Sequence, residues 1–89
     1  MAMKFNDSKT CREHRFSIGV EENSGKFFLS IPVSNAYVDY EEYYEITEEM
    51  FSEFESDMTL ALDFVQQCKE MKNDNLLLEK PGRLRGHAG

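Results

Sequence analysis

The sequence lacks long hydrophobic runs, and this shortage excludes a membrane-spanning chain. Its longest uninterrupted apolar stretches, such as residues 27–29 and 76–78, have three residues, whereas a transmembrane helix needs roughly 20. The first fourteen residues, MAMKFNDSKTCREH, also lack the apolar segment of a secretory signal. We therefore expect a cytoplasmic protein that does not engage a membrane.

Cysteine and histidine are scarce, which argues against a metal centre. The chain has Cys11, Cys68, His14 and His87, which are scattered along it without the CxxC or HxxxH spacing of zinc ligands. Two reduced thiols are the expected state. Cys68 falls on the apolar stripe of a predicted helix, where a cysteine is a small core residue rather than a nucleophile. We expect no metal site and no cofactor.

The sequence contains no catalytic signature. There is no GxSxG, no glycine-rich phosphate loop and no HExxH. A chain of 89 residues has room for one thin core of two layers and not for a large buried cofactor as well. The sequence therefore predicts a protein that is not an enzyme, with no catalytic residues.

Basic residues are missing from the middle of the chain. No Lys or Arg occurs between Phe27 and Cys68, and the chain as a whole has 17 acidic and 10 basic residues, for a net charge of −7. Direct binding of nucleic acid is not expected, because phosphate contacts need clustered Lys and Arg. The acidic residues of this middle stretch are Asp39, Glu41, Glu42, Glu45, Glu48, Glu49, Glu53, Glu55, Asp57 and Asp63.

The hydrophobic pattern predicts three antiparallel strands. Apolar residues alternate with polar ones over residues 16–20, and a turn follows at residues 22–25. The chain then returns over residues 27–33, with Phe27, Leu29, Ile31 and Val33 on one face and Phe28, Ser30 and Pro32 on the other. A third extended segment covers residues 37–46. Short connections favour antiparallel neighbours, so the economical arrangement is a meander.

Helical signals follow the third strand. Thr47 is a candidate N-cap, and apolar residues recur at helical spacing over residues 50–54 and 58–71. Residues 76–80 are predicted to return to the sheet as a short strand. The expected fold is α+β: a three-stranded antiparallel meander, one kinked or two short helices packed on one face, and a short C-terminal strand. This domain would span residues 14–80, between an N-terminal arm (1–13) and a flexible basic tail (81–89).

The third predicted strand has an unusual composition. All four tyrosines of the chain lie within residues 37–44, interleaved with carboxylates. One interpretation is a mixed strand whose rings cover the sheet while the hydroxyl groups reach water. The other is a binding surface, because tyrosine offers a rigid area with a polar tip and carboxylates complement a cationic partner. The residues assigned to that surface are Tyr37, Asp39, Glu41, Tyr43 and Glu45 on one strand face, continued by Glu48 and Glu49.

The functional hypothesis from sequence is a small acidic binding protein. Its acidic and aromatic surface would dock onto a basic partner protein, as an immunity protein or an inhibitor of a nuclease-type toxin does. The alternative is a non-catalytic accessory or regulatory domain whose acidic face serves only solubility. A monomer and a dimer are both compatible with the sequence.

Overall fold

The computed structural model describes residues 3–34 and 39–79. These residues form an α+β fold with one antiparallel sheet of four strands in the order β1-β2-β3-β4. Each strand pairs with its neighbour in the chain, as short connections favour. The elements are β1 (Phe5–Cys11), β2 (Phe16–Glu21), β3 (Phe27–Ser34), β4 (Asp39–Ile46), α1 (Glu48–Ser56), a 3-10 helix (Met58–Ala61), α2 (Leu62–Lys69) and a 3-10 turn (Asp74–Leu76).

The sheet has one more regular strand at its start than the sequence predicted. β1 is formed by part of the segment expected to be an N-terminal arm, and it pairs with β2 from Phe5↔Glu21 to Cys11↔Phe16. The five residues between its ends are all exposed. Such a strand is held by backbone hydrogen bonds to β2 rather than by an apolar face. Its sequence therefore lacks the period-2 pattern from which a strand is predicted.

The predicted C-terminal strand is also wrong. The chain does return to β4, but only through an isolated bridge between Leu77 and Tyr44 and a hydrogen bond of 2.8 Å from the Leu78 N–H to the Tyr43 carbonyl. The 3-10 turn runs up to Leu76, so only the residues directly after it can pair with β4. The last residue of the predicted strand, Lys80, lies outside the described residues, as does the predicted tail.

The first helix begins at its predicted cap, whereas the second predicted segment, residues 58–71, is a 3-10 helix followed by a shorter α2 that begins without a side-chain cap. Thr47 precedes α1, and its Oγ1 accepts a hydrogen bond of 3.1 Å from the Met50 N–H. Asp57 ends α1 and caps the following 3-10 helix through the Thr59 N–H at 3.0 Å. The helical region is therefore divided into two α-helices, one of the two predicted alternatives. Within the described residues, no helix has the length and apolar character needed to cross a bilayer.

One face of the sheet packs against the helices and forms the core. Alternate residues of β2, β3 and β4 point to this face, as the period-2 pattern predicts. Cys68 from α2 is 1 % exposed, which confirms it as a core residue. The buried core is made of Phe16, Ile18, Leu29, Ile31, Val33, Tyr44, Ile46, Phe54, Ala61, Val65 and Cys68.

Candidate functional site

The second face of the sheet, here called the outer face, carries the candidate site. In β4 the exposed residues Asp39, Glu41 and Glu45 and the half-buried Tyr43 occupy this face. The intervening residues of β4 point toward the helices instead. The sequence predicted these four residues on one face together with Tyr37, which lies outside the described residues.

An aromatic cluster lies at the centre of the outer face. Phe5 from β1 stacks on Tyr43 from β4, with ring centroids 3.6 Å apart and an interplanar angle of 6°. Phe28 from β3 meets both rings edge-on, at 5.2 Å from Phe5 and 5.1 Å from Tyr43. The outer aromatic cluster (Phe5, Phe28, Tyr43) therefore links the two edge strands of the sheet across its middle.

Gly19 in β2 makes this packing possible. It pairs with Asp7 on one side and with Phe28 on the other. A Cβ atom at this position would clash with the Asn6 carbonyl oxygen and would lie 2.8 Å from Cζ of Phe28. Because β2 presents no side chain here, the rings of its neighbours can meet above the strand.

Three carboxylates act on the Tyr43 hydroxyl from three parts of the chain. Burial is the largest cause that raises the pKa of Tyr43, and the negative charges of Glu41, Asp7 and Glu79 raise it further. Asp7 belongs to β1, Glu41 to β4, and Glu79 to the segment that follows the Leu77 bridge. Within the described ranges none of these three carboxylates forms a salt bridge.

The other two carboxylates of β4 on this face have local partners. Glu45 lies 3.7 Å from the Lys26 ammonium in a half-exposed ion pair. Asp39 accepts a hydrogen bond of 2.6 Å from the Ser34 hydroxyl across the β3–β4 pair. We name the whole set the outer acidic patch: Asp7, Asp39, Glu41, Glu45 and Glu79.

Glu48 and Glu49, also assigned to the surface from sequence, belong to a different layer. Both are exposed in the first turn of α1, and α1 packs on the core face of the sheet. Their negative charges stabilise α1, because they lie near the positive end of the helix dipole. They extend the acidic surface past the end of β4 rather than sharing the outer face.

A further carboxylate of β4, Glu42, points the opposite way. It is 6 % exposed on the core face and accepts a hydrogen bond of 2.9 Å from the Tyr44 hydroxyl. Tyr44 also lies 3.4 Å from the Cys68 carbonyl of α2. An acidic side chain that points inward from an edge strand disfavours pairing with a further strand.

The two cysteines of the chain form no disulfide. Cys11 and Cys68 are both free, and burial raises the pKa of Cys68 to about 11. A thiol so protonated at neutral pH is a poor nucleophile. Among the described residues, no three His, Cys, Asp or Glu side chains are grouped to hold a metal ion.

Sequence reasoning missed Phe5, Asp7 and Glu79 as parts of this site. Phe5 and Asp7 belong to β1, which no periodic pattern in the sequence predicts. Glu79 lies near the site because the chain returns to β4. No local spacing relates these residues to Tyr43. Phe28 was correctly placed on the face opposite Leu29, but its aromatic partners were not visible without β1.

The fold and this face define the class of the protein: a small α+β domain whose helices cover one sheet face while an acidic and aromatic surface occupies the other. No protein-family model, curated protein or solved structure matches the chain.

Proposed function

We propose that this chain is a small acidic binding protein that docks its outer face onto a basic partner protein. The observation that carries the proposal is the convergence of Asp7, Glu41 and Glu79 around Tyr43 without a salt bridge inside the described part of the chain. Like charges gathered in this way repel one another and cost folding free energy. Cations supplied by a partner would relieve that repulsion on binding.

The aromatic cluster supplies the contact area that charge alone lacks. Tyr43 is held by stacking on Phe5 and by the edge of Phe28, so little side-chain entropy is lost when a partner covers it. Buried tyrosines near the centre of an interface are frequent binding hot spots. The surrounding carboxylates form the polar rim and steer the approach of a basic surface.

The class of partner follows from this charge. Proteins that act on nucleic acids carry basic grooves, because those grooves must bind phosphate. An acidic face can occupy such a groove, and an immunity protein or inhibitor of a nuclease-type toxin works in this manner. The proposed role is non-catalytic: the chain would block its partner by covering it.

Capture from an extract of the source organism tests the proposal. The wild-type chain is immobilised and washed at low and at high salt, beside Tyr43→Ala and Glu41→Lys variants. We expect a basic protein that is retained at low salt, released at high salt, and retained poorly by both variants. Screening weakens charge pairs at high ionic strength, which explains the salt sensitivity.

Two results would contradict the proposal. One is a captured partner that both variants retain as well as the wild-type chain does. The other is the absence of any basic protein whose retention depends on salt. Circular dichroism of Tyr43→Ala confirms that the variant is folded, and Glu41→Lys, an exposed substitution, provides an independent test if it is not.

A further inference from the structure

A pocket lies on the helix side of the molecule, between α2 and the turn that joins β1 to β2. Its volume is about 240 Å³, somewhat below the roughly 300–1,000 Å³ of sites for drug-sized ligands. Leu62 and Val65 of α2 provide apolar lining, and the half-buried His14 and Lys69 line it together with Arg15. A small ligand with one apolar group matches this size and lining.

The polar lining is mainly basic, in contrast to the rest of the protein. Arg15 and Lys69 form no salt bridge within the residues that the structure describes, although the chain has 17 acidic residues and 10 basic ones. Gln66 also lines the pocket, with its amide donating to Glu70 at 3.2 Å, and Glu13 is the single carboxylate among the lining residues. Unpaired cations beside an apolar wall favour an anion that also carries an apolar group.

The backbone at Arg15, one of the pocket's basic lining residues, has a conformation that is uncommon outside glycine. Arg15 has φ of 55°, a left-handed conformation that glycine adopts readily and other residues adopt rarely. A glycine would therefore suit the turn better. Backbone strain retained at a pocket is a reason to ask what the side chain does there.

We infer that this pocket binds a small organic phosphate, with the phosphate held by Arg15, Lys69 and His14 and the apolar group resting on Leu62 and Val65. A guanidinium offers two parallel N–H donors to phosphate oxygens, and an ammonium supports them as a point charge. A phosphate has three terminal oxygens and can engage several such donors at once. This site is separate from the outer face and does not depend on the proposed docking.

Titration of the full chain with phenyl phosphate tests the inference. Backbone amide shifts are followed by NMR at constant low ionic strength, with inorganic phosphate and benzoate as comparison probes. We expect saturable shifts centred on residues 13–15 and 66–69. Phenyl phosphate should bind more tightly than inorganic phosphate because of its ring, and more tightly than benzoate because of its phosphate group.

Variants separate binding from folding. Arg15→Gly relieves the left-handed backbone and should leave the chain folded, while weakening phenyl phosphate binding about tenfold, as expected for one charge-assisted hydrogen bond. Lys69→Gln should weaken it similarly. Arg12→Gln is the matched control, because Arg12 lies in the same turn, is exposed and does not line the pocket.

The inference is overturned if the shifts do not saturate, or if they centre on residues away from the pocket. Equal loss of affinity in Arg12→Gln and Arg15→Gly would show general charge attraction in place of a site. Tighter binding of benzoate than of phenyl phosphate would overturn the assignment to phosphate.

Discussion

Single residues decide how the outer face is built, and Gly19 is the clearest case. It sits under the contact between Phe5, Phe28 and Tyr43, at a point where β1 and β3 both approach β2 closely. Ser30 is a second such residue, since it pairs with Tyr43 and is completely buried. Both positions give predictions that concern stability alone.

Replacement of Gly19 by alanine should strongly destabilise the protein. The added methyl group would meet the Asn6 backbone and the Phe28 ring, so β1 must shift; we expect a loss of at least about 2 kcal/mol in the free energy of unfolding. Gly25→Ala is the matched control, because its φ is +73° but open space surrounds it. Its cost should be about 1 kcal/mol. Urea unfolding measures both, and equal losses would contradict the packing described.

Replacement of Ser30 by alanine should leave stability unchanged or raise it by about 1 kcal/mol, because a buried hydroxyl without a partner has lost its hydration. Among the described residues, Ser30 Oγ is the buried side-chain polar atom that lacks a hydrogen-bond partner. Ser17 Oγ, by contrast, lies 3.0 Å from Thr10 Oγ1. Ser17→Ala should therefore cost about 1 kcal/mol, and the opposite order in thermal unfolding would refute this assignment.

At the scale of elements, the sequence predicted most of the regular structure, missed one edge strand, and predicted a C-terminal strand where the structure has only an isolated bridge. β2, β3, β4 and both helices follow from periodicity, because each buries one face against the core, and the start of α1 follows also from its Thr47 cap. β1 buries little of its own and depends on pairing with β2, which leaves no local pattern. The candidate site was half predicted for the same reason: Tyr43 and Glu41 alternate within β4, whereas Phe5 and Asp7 arrive on β1.

The carboxylate of Glu21 connects the start of β1 with the turn between β2 and β3. Glu21 is 1 % exposed. It accepts backbone N–H bonds from Lys4 at 2.7 Å, Ser24 at 2.8 Å and Asn23 at 3.1 Å. The start of β1 and the turn between β2 and β3 are thus held at one charged group. The bond from the Lys4 N–H is the largest cause that lowers the pKa of Glu21, from 4.5 to about 2.

Stability should therefore depend on pH through Glu21. Because its folded pKa lies below the unfolded value, its contribution is complete above pH 4.5 and is lost as the pH falls toward about 2. Glu21→Gln should lower the urea midpoint at neutral pH and flatten the fall over that interval. Glu22→Gln is the control, since its bridge to Lys4 at 3.2 Å is exposed and contributes little. An unchanged pH profile in Glu21→Gln would contradict this role.

At the scale of the whole molecule, the two sheet faces differ in composition. One face and the helices form the core, and the outer face gathers acidic and aromatic groups from β1, β3, β4 and the segment after the Leu77 bridge. The net charge of −7 is therefore more than a property of composition, because part of it is concentrated around Tyr43. This distribution is the reason to propose docking onto a basic protein.

The association rate of the captured partner with two charge-reversal variants tests that claim most directly. Glu41→Lys changes the outer face, and Glu53→Lys makes the same change in charge at an exposed position of α1 in the helix layer. We predict that Glu41→Lys slows association by about tenfold or more at low salt and weakens its salt dependence, since charges near an interface act mainly on the association rate. Glu53→Lys should associate nearly as fast as the wild-type chain. Equal effects of the two variants, or a larger effect of Glu53→Lys, would contradict docking through the outer face.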